Sequence, residues 1–137
     1  MNEIEQQILE EYAEKCSIGE KSYELMGKML DAEFVKERLR MFHISDAFIY
    51  GGTYMAAQLY RVAKNYINIP AIVDKAGKML TNENIKIITL EDLRQCYGGE
   101  KIIVTPIQFY SQIKSDLIRF ADSENIIFIG ELLEGIA

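Results

Sequence analysis

The sequence predicts an α/β fold: a Rossmann-like five-stranded parallel sheet with helices on both faces and an N-terminal helical extension. Short apolar runs alternate with helical segments from Ala47 onwards, which is the pattern of a parallel sheet covered by helices. The runs are apolar throughout, as is typical of strands buried on both faces. A double-glycine turn follows the first run, and an aspartate ends the second. These features favour the strand order 3-2-1-4-5.

Residues 1–43 are predicted to be a helical extension, and residues 44–137 a Rossmann-like domain of the nucleotide-binding type. The extension begins with an apolar face at helical spacing, opposite glutamates, formed by Ile4, Ile8, Leu9, Tyr12, Ala13 and Cys16. The segment Ser17-Ile18-Gly19 is predicted to break this helix. In the next stretch, Asp31 either caps a fresh helix or lies within a continuous one.

A methionine- and tyrosine-rich stripe runs between Tyr23 and Phe42. We favour a stripe that faces the protein core over a cofactor-binding motif. The stripe would pack on the edge of the sheet or on a second copy of the chain. Formation of a homodimer through these helices is our hypothesis.

The second part of the chain supplies the elements of the predicted sheet. The strands are Ala47–Tyr50, Ala71–Val73, Ile85–Ile88, Ile102–Val104 and Ile126–Ile129. Helices are expected near residues 54–67, 90–96 and 106–121, and the segment GELLEGI is expected to form a last helix with its leucines inside. Gly98 and Gly99 are interpreted as a helix stop, because a strand and not a helix follows them.

Composition limits the classes of function. The chain has 137 residues, a formal charge of −6 and a pI of about 4.9, which suits one acidic domain and argues against a nucleic-acid partner. No apolar stretch approaches the roughly 20 residues of a membrane span, and the polar N-terminus is not a secretory signal, so a cytoplasmic location is expected. Cys16 and Cys96 have no metal or redox spacing, and the single histidine, His43, excludes a histidine-rich metal site.

The turn after the first strand has part of a nucleotide-binding fingerprint. Gly51 would occupy a tight turn that requires positive φ, and Gly52 follows it. The next helix would begin near Thr53 or Tyr54, and its free N–H groups would create an anion site. Thr53 replaces the glycine that lets a backbone approach a pyrophosphate, so its side chain either blocks a dinucleotide or offers its hydroxyl to one phosphate.

Asp74 ends the second predicted strand, 22 positions after Gly52. An acidic residue about 20 positions on is expected to bond ribose hydroxyls in this class of site. A carboxylate there suits a ribose without a 2′-phosphate. The alternative is that Asp74 begins a polar turn, where aspartate is common.

Four segments carry a resemblance to a known family: AFIYGGTYMAAQLYRV, IPAIVDKAGK, IKIITLEDL and KIIVTPIQFYSQIKSDL. They resemble small bacterial Rossmann-like domains related to nucleoside-diphosphate-sugar epimerases and to the N-terminal domains of surface-glycan amino-sugar acetyltransferases. The resemblance covers about residues 34–135. It implies a ligand such as NAD or a UDP-sugar, and a role in surface-polysaccharide or related biosynthesis.

The resemblance also implies the positions of the binding residues. Gly51, Gly52, Thr53 and Tyr54 would face the phosphates or the sugar nucleotide. Asp74 and Lys75 would lie beside the ribose or base, and Thr105 and Pro106 would border the same crevice. Thr105 would also cap the following helix, with Pro106 in its first turn.

No acid–base pair is evident, which favours a chain that is not catalytic on its own. Tyr60 and Lys64 have the Tyr-x-x-x-Lys spacing of epimerases, but we interpret them as an ordinary helical contact. His43 is predicted to be a packed structural residue, and Cys96 a half-buried thiol. The acidic residues Glu91-Asp92 and Glu131 to Glu134 suit helix starts and solvent better than a metal.

Three functions therefore remain open. The first is a binding module for a nucleotide or nucleotide-sugar. The second is a degenerate Rossmann domain that serves as a protein-interaction or oligomerisation module, its crevice filled by side chains such as Tyr54 or Met55. The third is an NAD-dependent epimerase or oxidoreductase, which lacks an evident acid–base pair and the usual substrate-holding region.

Overall fold

A computed structural model describes residues 2–51, 54–75 and 85–135, with the side chains of residues 8–19 left out. Five strands, all parallel, form one sheet: β1 (Ala47–Tyr50), β2 (Ile72–Val73), β3 (Ile87–Ile88), β4 (Lys101–Val104) and β5 (Ile126–Phe128). Their order is β3-β2-β1-β4-β5, so the predicted topology is confirmed. The helices are α1 (Glu3–Met29), α2 (Ala32–Met41), α3 (Tyr54–Ala63), α4 (Leu90–Cys96), α5 (Tyr110–Leu117) and α6 (Ile129–Glu134).

Several predicted helices and strands have the bounds that the structure shows, and others were predicted too long. Strand β1 and helix α4 have the predicted bounds, whereas β2 and β3 contain two residues each. Helix α4 begins with a capping box, in which Asp92 N–H donates to Thr89 Oγ1 at 3.1 Å and Thr89 N–H donates to Asp92 Oδ2 at 3.2 Å. It ends just before Gly98 and Gly99, the latter at φ +101°, so the predicted helix stop is confirmed.

The predicted break at Ser17-Ile18-Gly19 is wrong, because α1 is one continuous helix of 27 residues that includes this segment. One glycine costs a helix about 1 kcal/mol relative to alanine, and no proline accompanies it. The helix ends at Met29, and a fresh helix then starts. Asp31 caps α2, since its Oδ1 accepts a hydrogen bond from Phe34 N–H at 3.1 Å.

Helix α2 ends in a Schellman motif, which explains the position of His43. The His43 N–H donates to Arg40 O at 3.0 Å, and the Ile44 N–H donates to Leu39 O at 3.1 Å. His43 therefore has φ of 54° and an exposed side chain. The prediction of a packed histidine is wrong, because the helix-terminating position turns the residue towards solvent.

Each face of the sheet carries its own hydrophobic core. Neighbouring strand residues alternate between the faces, as Ile49 and Tyr50 do in β1. Helices α4 and α5 cover one face through Leu93, Ile113 and Leu117. The opposite face is covered by α1, α2, α3 and α6, whose buried side chains include Leu25, Met29, Val35, Leu39, Met55, Leu59, Ile129, Leu132 and Leu133.

The stripe between Tyr23 and Phe42 faces this second core only in part, so the predicted core-facing stripe is confirmed for some of its residues and wrong for Tyr23 and Leu30. Leu25, Met29 and Val35 are fully buried. The side of α1 away from the core is different, because Tyr23 and Leu30 there are 83% and 76% exposed. The N-terminal helices thus share a core with the sheet and also present apolar side chains to solvent.

Helix α6 is held against α1 and α2 by polar contacts. Arg38 of α2 donates from Nε to Leu132 O at 2.5 Å and from its guanidinium to Glu131 O at 3.3 Å, which satisfies carbonyls at the C-terminal end of α6. Glu134 forms ion pairs with Lys21 and Lys28 of α1. Its side chain is only 10% exposed, so water screens these pairs less than surface pairs.

We expect the Glu134 ion pairs to make the stability of the fold depend on pH in the acidic range. Contact with Lys21, followed by the charges of Lys21 and Lys28, holds the pKa of Glu134 below its ordinary 4.5, against the effect of burial. A carboxylate whose pKa is lower in the folded state than in the unfolded state stabilises the fold at pH values above its unfolded-state pKa. This stabilisation is lost as pH falls through the folded-state pKa. Urea unfolding at a series of pH values should therefore show Glu134→Gln less stable than the natural protein at pH 6, with a gap that closes below pH 4.5.

The matched control is Glu24→Gln, which alters an α1 carboxylate that is 55% exposed and 3.8 Å from Lys21. Its stability should stay within about 0.5 kcal/mol of the natural protein, as for most surface substitutions. A gap for Glu134→Gln that is unchanged between pH 6 and pH 3 would contradict the assignment.

Candidate functional site

Three predicted site residues meet at the carboxyl edge of the sheet. Gly51, Asp74 and Thr105 follow β1, β2 and β4 directly. Their N–H groups donate to the neighbouring strand, at 2.8 Å for Gly51 to Val73 O and at 3.0 Å for Thr105 to Tyr50 O. The strand order reverses between β1 and β4, and open α/β sheets bind ligands at such a switch point.

Gly51 is required by close contact across the switch point. Its φ is +132°, as predicted for the turn, and a Cβ added there would clash with Thr105 Oγ1 and lie 3.2 Å from Pro106 Cδ. The Thr105 side chain is 1% exposed, and its hydroxyl donates to Tyr50 O at 2.9 Å. The β4–α5 loop therefore occupies the space directly beside Gly51.

The predicted role of Thr105 and Pro106 at the start of α5 is wrong. The Thr105 hydroxyl is bonded to β1, and α5 begins four residues beyond Pro106, at Tyr110. Phe109 precedes the helix at φ 64° with no side-chain cap and with 70% of its surface exposed. A left-handed phenylalanine is uncommon and costs about 1–3 kcal/mol, a cost that other contacts of the loop, such as the Thr105 bonds to Tyr50, must offset.

A cavity of about 290 Å³ lies beside this loop, and we call it the switch-point cavity. It is bounded by three parts of the chain: the start of α3, the β4–α5 loop and helix α1. Its lining residues are Ser22, Met26, Tyr54, Met55, Thr105, Pro106, Ile107 and Gln108. Tyr54 begins α3, as predicted, and is 64% exposed. Gly52 and Thr53 lie outside the described residues, so their predicted contacts stay predictions.

Charge is distributed unevenly around the switch point. None of the described residues that line the cavity carries a charged side chain. On the other face of the sheet, burial, and then the negative charges of Asp116 and Asp74, raise the pKa of the Tyr50 phenol above 10.0. Asp74 and Asp116 thus place negative charge near the Tyr50 phenol, on the α4–α5 side of the sheet. Lys75 is exposed beyond β2.

Sequence reasoning missed half of the cavity lining. The sequence predicts Thr105, Pro106 and Tyr54 at a ligand crevice, and Met55 as a side chain that could fill the crevice. Ser22, Met26, Ile107 and Gln108 were not expected there. The sequence gives little indication that Ser22 and Met26 line the cavity. Helical periodicity places these two residues beside the core face of α1, but it does not show which helix or loop packs against that face.

Other candidate reactive groups lie elsewhere. Cys96 is exposed at the end of α4, so the half-buried thiol predicted there is wrong; the helix stops before it gains a covering neighbour. The Lys64 ammonium lies 5.5 Å from the centre of the Tyr60 ring, which confirms the predicted helical contact. Within residues 2–51, 54–75 and 85–135, no cluster of His, Cys, Asp and Glu could hold a metal ion.

A polar pocket of about 250 Å³ lies at the opposite, amino-terminal edge of the sheet, lined by His43, Ser45, Asp46, Gly98, Gly99, Glu100 and Lys101. Its polar groups bond mainly to the protein. Asp46 accepts from Asn68 at 3.0 Å and from Ser45 at 3.3 Å, and the Lys101 ammonium donates to Asn125 at 3.0 Å. The switch-point cavity is the better candidate, because its lining includes apolar surface with few polar groups.

Comparison with protein-family models, curated proteins and solved structures finds no match for this chain. The resemblance to epimerase-related and acetyltransferase-related domains therefore stays a prediction from short motifs. No helix among the described residues combines the length and apolar character that crossing a bilayer demands.

Proposed function

We propose that this chain is a binding module for a nucleotide or nucleotide-sugar, with its site at the switch-point cavity. The observation that carries the proposal is the position of this cavity, between the start of α3 and the loop after β4. Ligands of open parallel sheets bind at this place, outside the carboxyl ends of the strands where the order reverses. The candidate ligands are NAD and UDP-sugars.

The charge distribution supports entry from the α1–α3 side. A helix N-terminus attracts anions, and α3 starts at Tyr54 beside the cavity with no acidic residue in its first turn. Asp74 and Asp116 act on the other face, around Tyr50. A phosphate would therefore lie near the start of α3 and away from these carboxylates. Asp74 follows the neighbouring strand and is not among the described residues that line the cavity.

Thermal denaturation with a nucleotide panel tests the proposal. Ligand at ten times its Kd should stabilise the protein by about 1.4 kcal/mol and raise Tm. Gln108→Glu places an isosteric carboxylate beside the cavity, so it should reduce the Tm shift caused by nucleotides. The control is Gln58→Glu on α3, outside the cavity lining. Flat melting curves with UDP-sugars, NAD and mononucleotides at millimolar concentration would reject a nucleotide site.

The side chains that line the cavity agree with a site that binds a ligand and does not catalyse a reaction. Tyr54 is the only ionisable residue among the described residues that line it, and it has no base beside it in that lining. An epimerase or oxidoreductase would need a second, proton-accepting group. A place in surface-polysaccharide biosynthesis and a cytoplasmic location rest on the sequence resemblance and on composition alone.

A second candidate function, self-association through α1, is favoured by one observation. Tyr23 and Leu30 are exposed, and Gly27 lies between them in helical order with no atom within 4 Å of the position of an added Cβ. An exposed glycine inside a helix costs about 1 kcal/mol relative to alanine. It would also allow a second helix to approach closely. We propose that two copies of the chain pair through this side of α1.

Light scattering at micromolar concentration tests self-association. The natural protein should have the mass of a dimer, and Leu30→Glu should have that of a monomer, because it places a charge in the proposed contact. Lys36→Glu, an exposed change on α2, serves as the control and should stay dimeric. A monomeric mass for the natural protein would contradict pairing and leave the ligand proposal unaffected.

A further inference from the structure

Helix α1 closes one side of the switch-point cavity. The sheet and its own connections supply six of the lining residues, and α1 supplies Ser22 and Met26. A sheet with only its crossover helices would leave the crevice open on that side. The N-terminal helix therefore sets the size of the space above the switch point.

The α1 wall is held firmly in place. Leu25 and Met29, on the same helix as Met26, have no exposed surface. Lys21 and Lys28 form ion pairs with the nearly buried Glu134 on α6. Moving this part of α1 would expose core side chains and separate both ion pairs, so a ligand meets a fixed boundary.

The space that remains is small. The cavity volume of about 290 Å³ lies just below the roughly 300–1,000 Å³ found for pockets that hold small molecules. A dinucleotide lies extended across a switch point, with a nucleotide on either side. With α1 in position, this cavity has room for one ring system.

The lining also selects the chemistry of that ring. Charged groups are absent from the described lining residues, and a buried charge without a partner is unfavourable. Met26 and Met55 contribute thioethers, which adapt to irregular shapes and make favourable contacts with aromatic rings. Ser22, Tyr54 and Gln108 add uncharged hydrogen-bonding groups to the lining.

We infer that Met26 is a specificity-determining residue, which limits this cavity to a single uncharged, flat ring of nucleobase type while the phosphates stay outside. The inference rests on the proposed nucleotide site and defines which part of the ligand enters it. A mononucleoside then carries most of the affinity. The second nucleotide of a dinucleotide adds little to the affinity, because α1 occupies the space that it would need.

NMR with ¹³C-methyl-labelled methionine tests the inference directly, with adenosine, uridine, UDP-glucose and NAD as probes. The chain has six methionines. The nucleosides should shift the Met26 and Met55 methyl signals and leave that of Met41, which is 55% exposed on α2. NAD should bind no more than about tenfold tighter than adenosine, and a tenfold change corresponds to only 1.4 kcal/mol.

Substitution at Met26 completes the test. Met26→Ala should weaken nucleoside binding by roughly two- to tenfold, the range expected for a lost sulfur–ring contact, and should raise the affinity for NAD relative to adenosine. Met41→Ala is the matched control and should change neither. Met26→Leu keeps the side-chain volume, so it should fold and retain the preference for nucleosides, which covers the case of an unfolded alanine variant.

The outcomes separate the two proposals. Probes that bind without shifting the Met26 signal, or whose relative affinities change equally in Met26→Ala and Met41→Ala, would overturn the inference and leave a nucleotide site elsewhere in the crevice. If no probe binds the natural protein, both the proposed function and this inference are wrong.

Discussion

Gly51→Ala should destabilise the protein by about 2–6 kcal/mol in urea unfolding. The substitution forces alanine to φ +132° and places its Cβ against Thr105 Oγ1 and Pro106 Cδ. An unfavourable backbone conformation costs about 1–3 kcal/mol, and overpacking a tight contact costs about 1–3 kcal/mol more. Total stability for a domain of this kind is about 5–15 kcal/mol, so the loss is a large share of it.

Gly99→Ala is the matched control for the cost of placing alanine at a positive φ. Gly99 has φ +101°, but no atom lies within 4 Å of the position of its added Cβ. Its cost should therefore stay near 1–2 kcal/mol. Thr105→Ala in the Gly51→Ala background should recover part of the steric cost, which a double-mutant cycle measures. Equal losses at the two glycines would show that the contact between Gly51 and Thr105 is unimportant.

Leu25→Ala should cost about 2–5 kcal/mol, because this α1 side chain is fully buried and its removal leaves a cavity. The loss should occur in a single urea transition that also reports the sheet. A single transition is expected because Leu25 belongs to the same cluster as Ile49 and Ile103 of the central strands.

Ile4→Ala is the control on the same helix, away from the proposed dimer contact. Ile4 is 69% exposed, so the loss of the same number of carbon atoms should change stability by less than about 0.5 kcal/mol. Two separate transitions, with Leu25→Ala affecting only the first, would instead show that residues 1–43 fold as an independent extension.

Local sequence patterns were sufficient to predict most of the fold. Apolar runs located β1 and β4 almost residue by residue, because strands buried on both faces leave few positions for polar residues. Helix ends were harder to place. The Schellman motif at His43 and the left-handed Phe109 depend on how α2 and the β4–α5 loop meet the sheet, and propensity does not encode such tertiary contacts.

The candidate site was only partly predictable for the same reason. Gly51, Asp74 and Thr105 follow strands, so the rule for parallel sheets places them at one edge. Met26 lies 25 positions before Gly51 along the chain, and it reaches the cavity only because α1 packs beside α3 and α6. The bond between Thr105 and Tyr50 likewise joins residues 55 positions apart, and no local pattern signals it.

The unequal lengths of the strands have a consequence for motion. Four residue pairs join β1 to β4, whereas two pairs join β1 to β2 and two join β2 to β3. Amide hydrogens near β3 should therefore exchange with solvent first, through opening events that leave the centre of the sheet closed. Thr105, which lines the switch-point cavity, follows β4 and donates a hydrogen bond to Tyr50 at the end of β1, so the most extensively paired strands hold this part of the lining. A ligand would dock there on a preformed surface, and little of its affinity would be spent on ordering the chain.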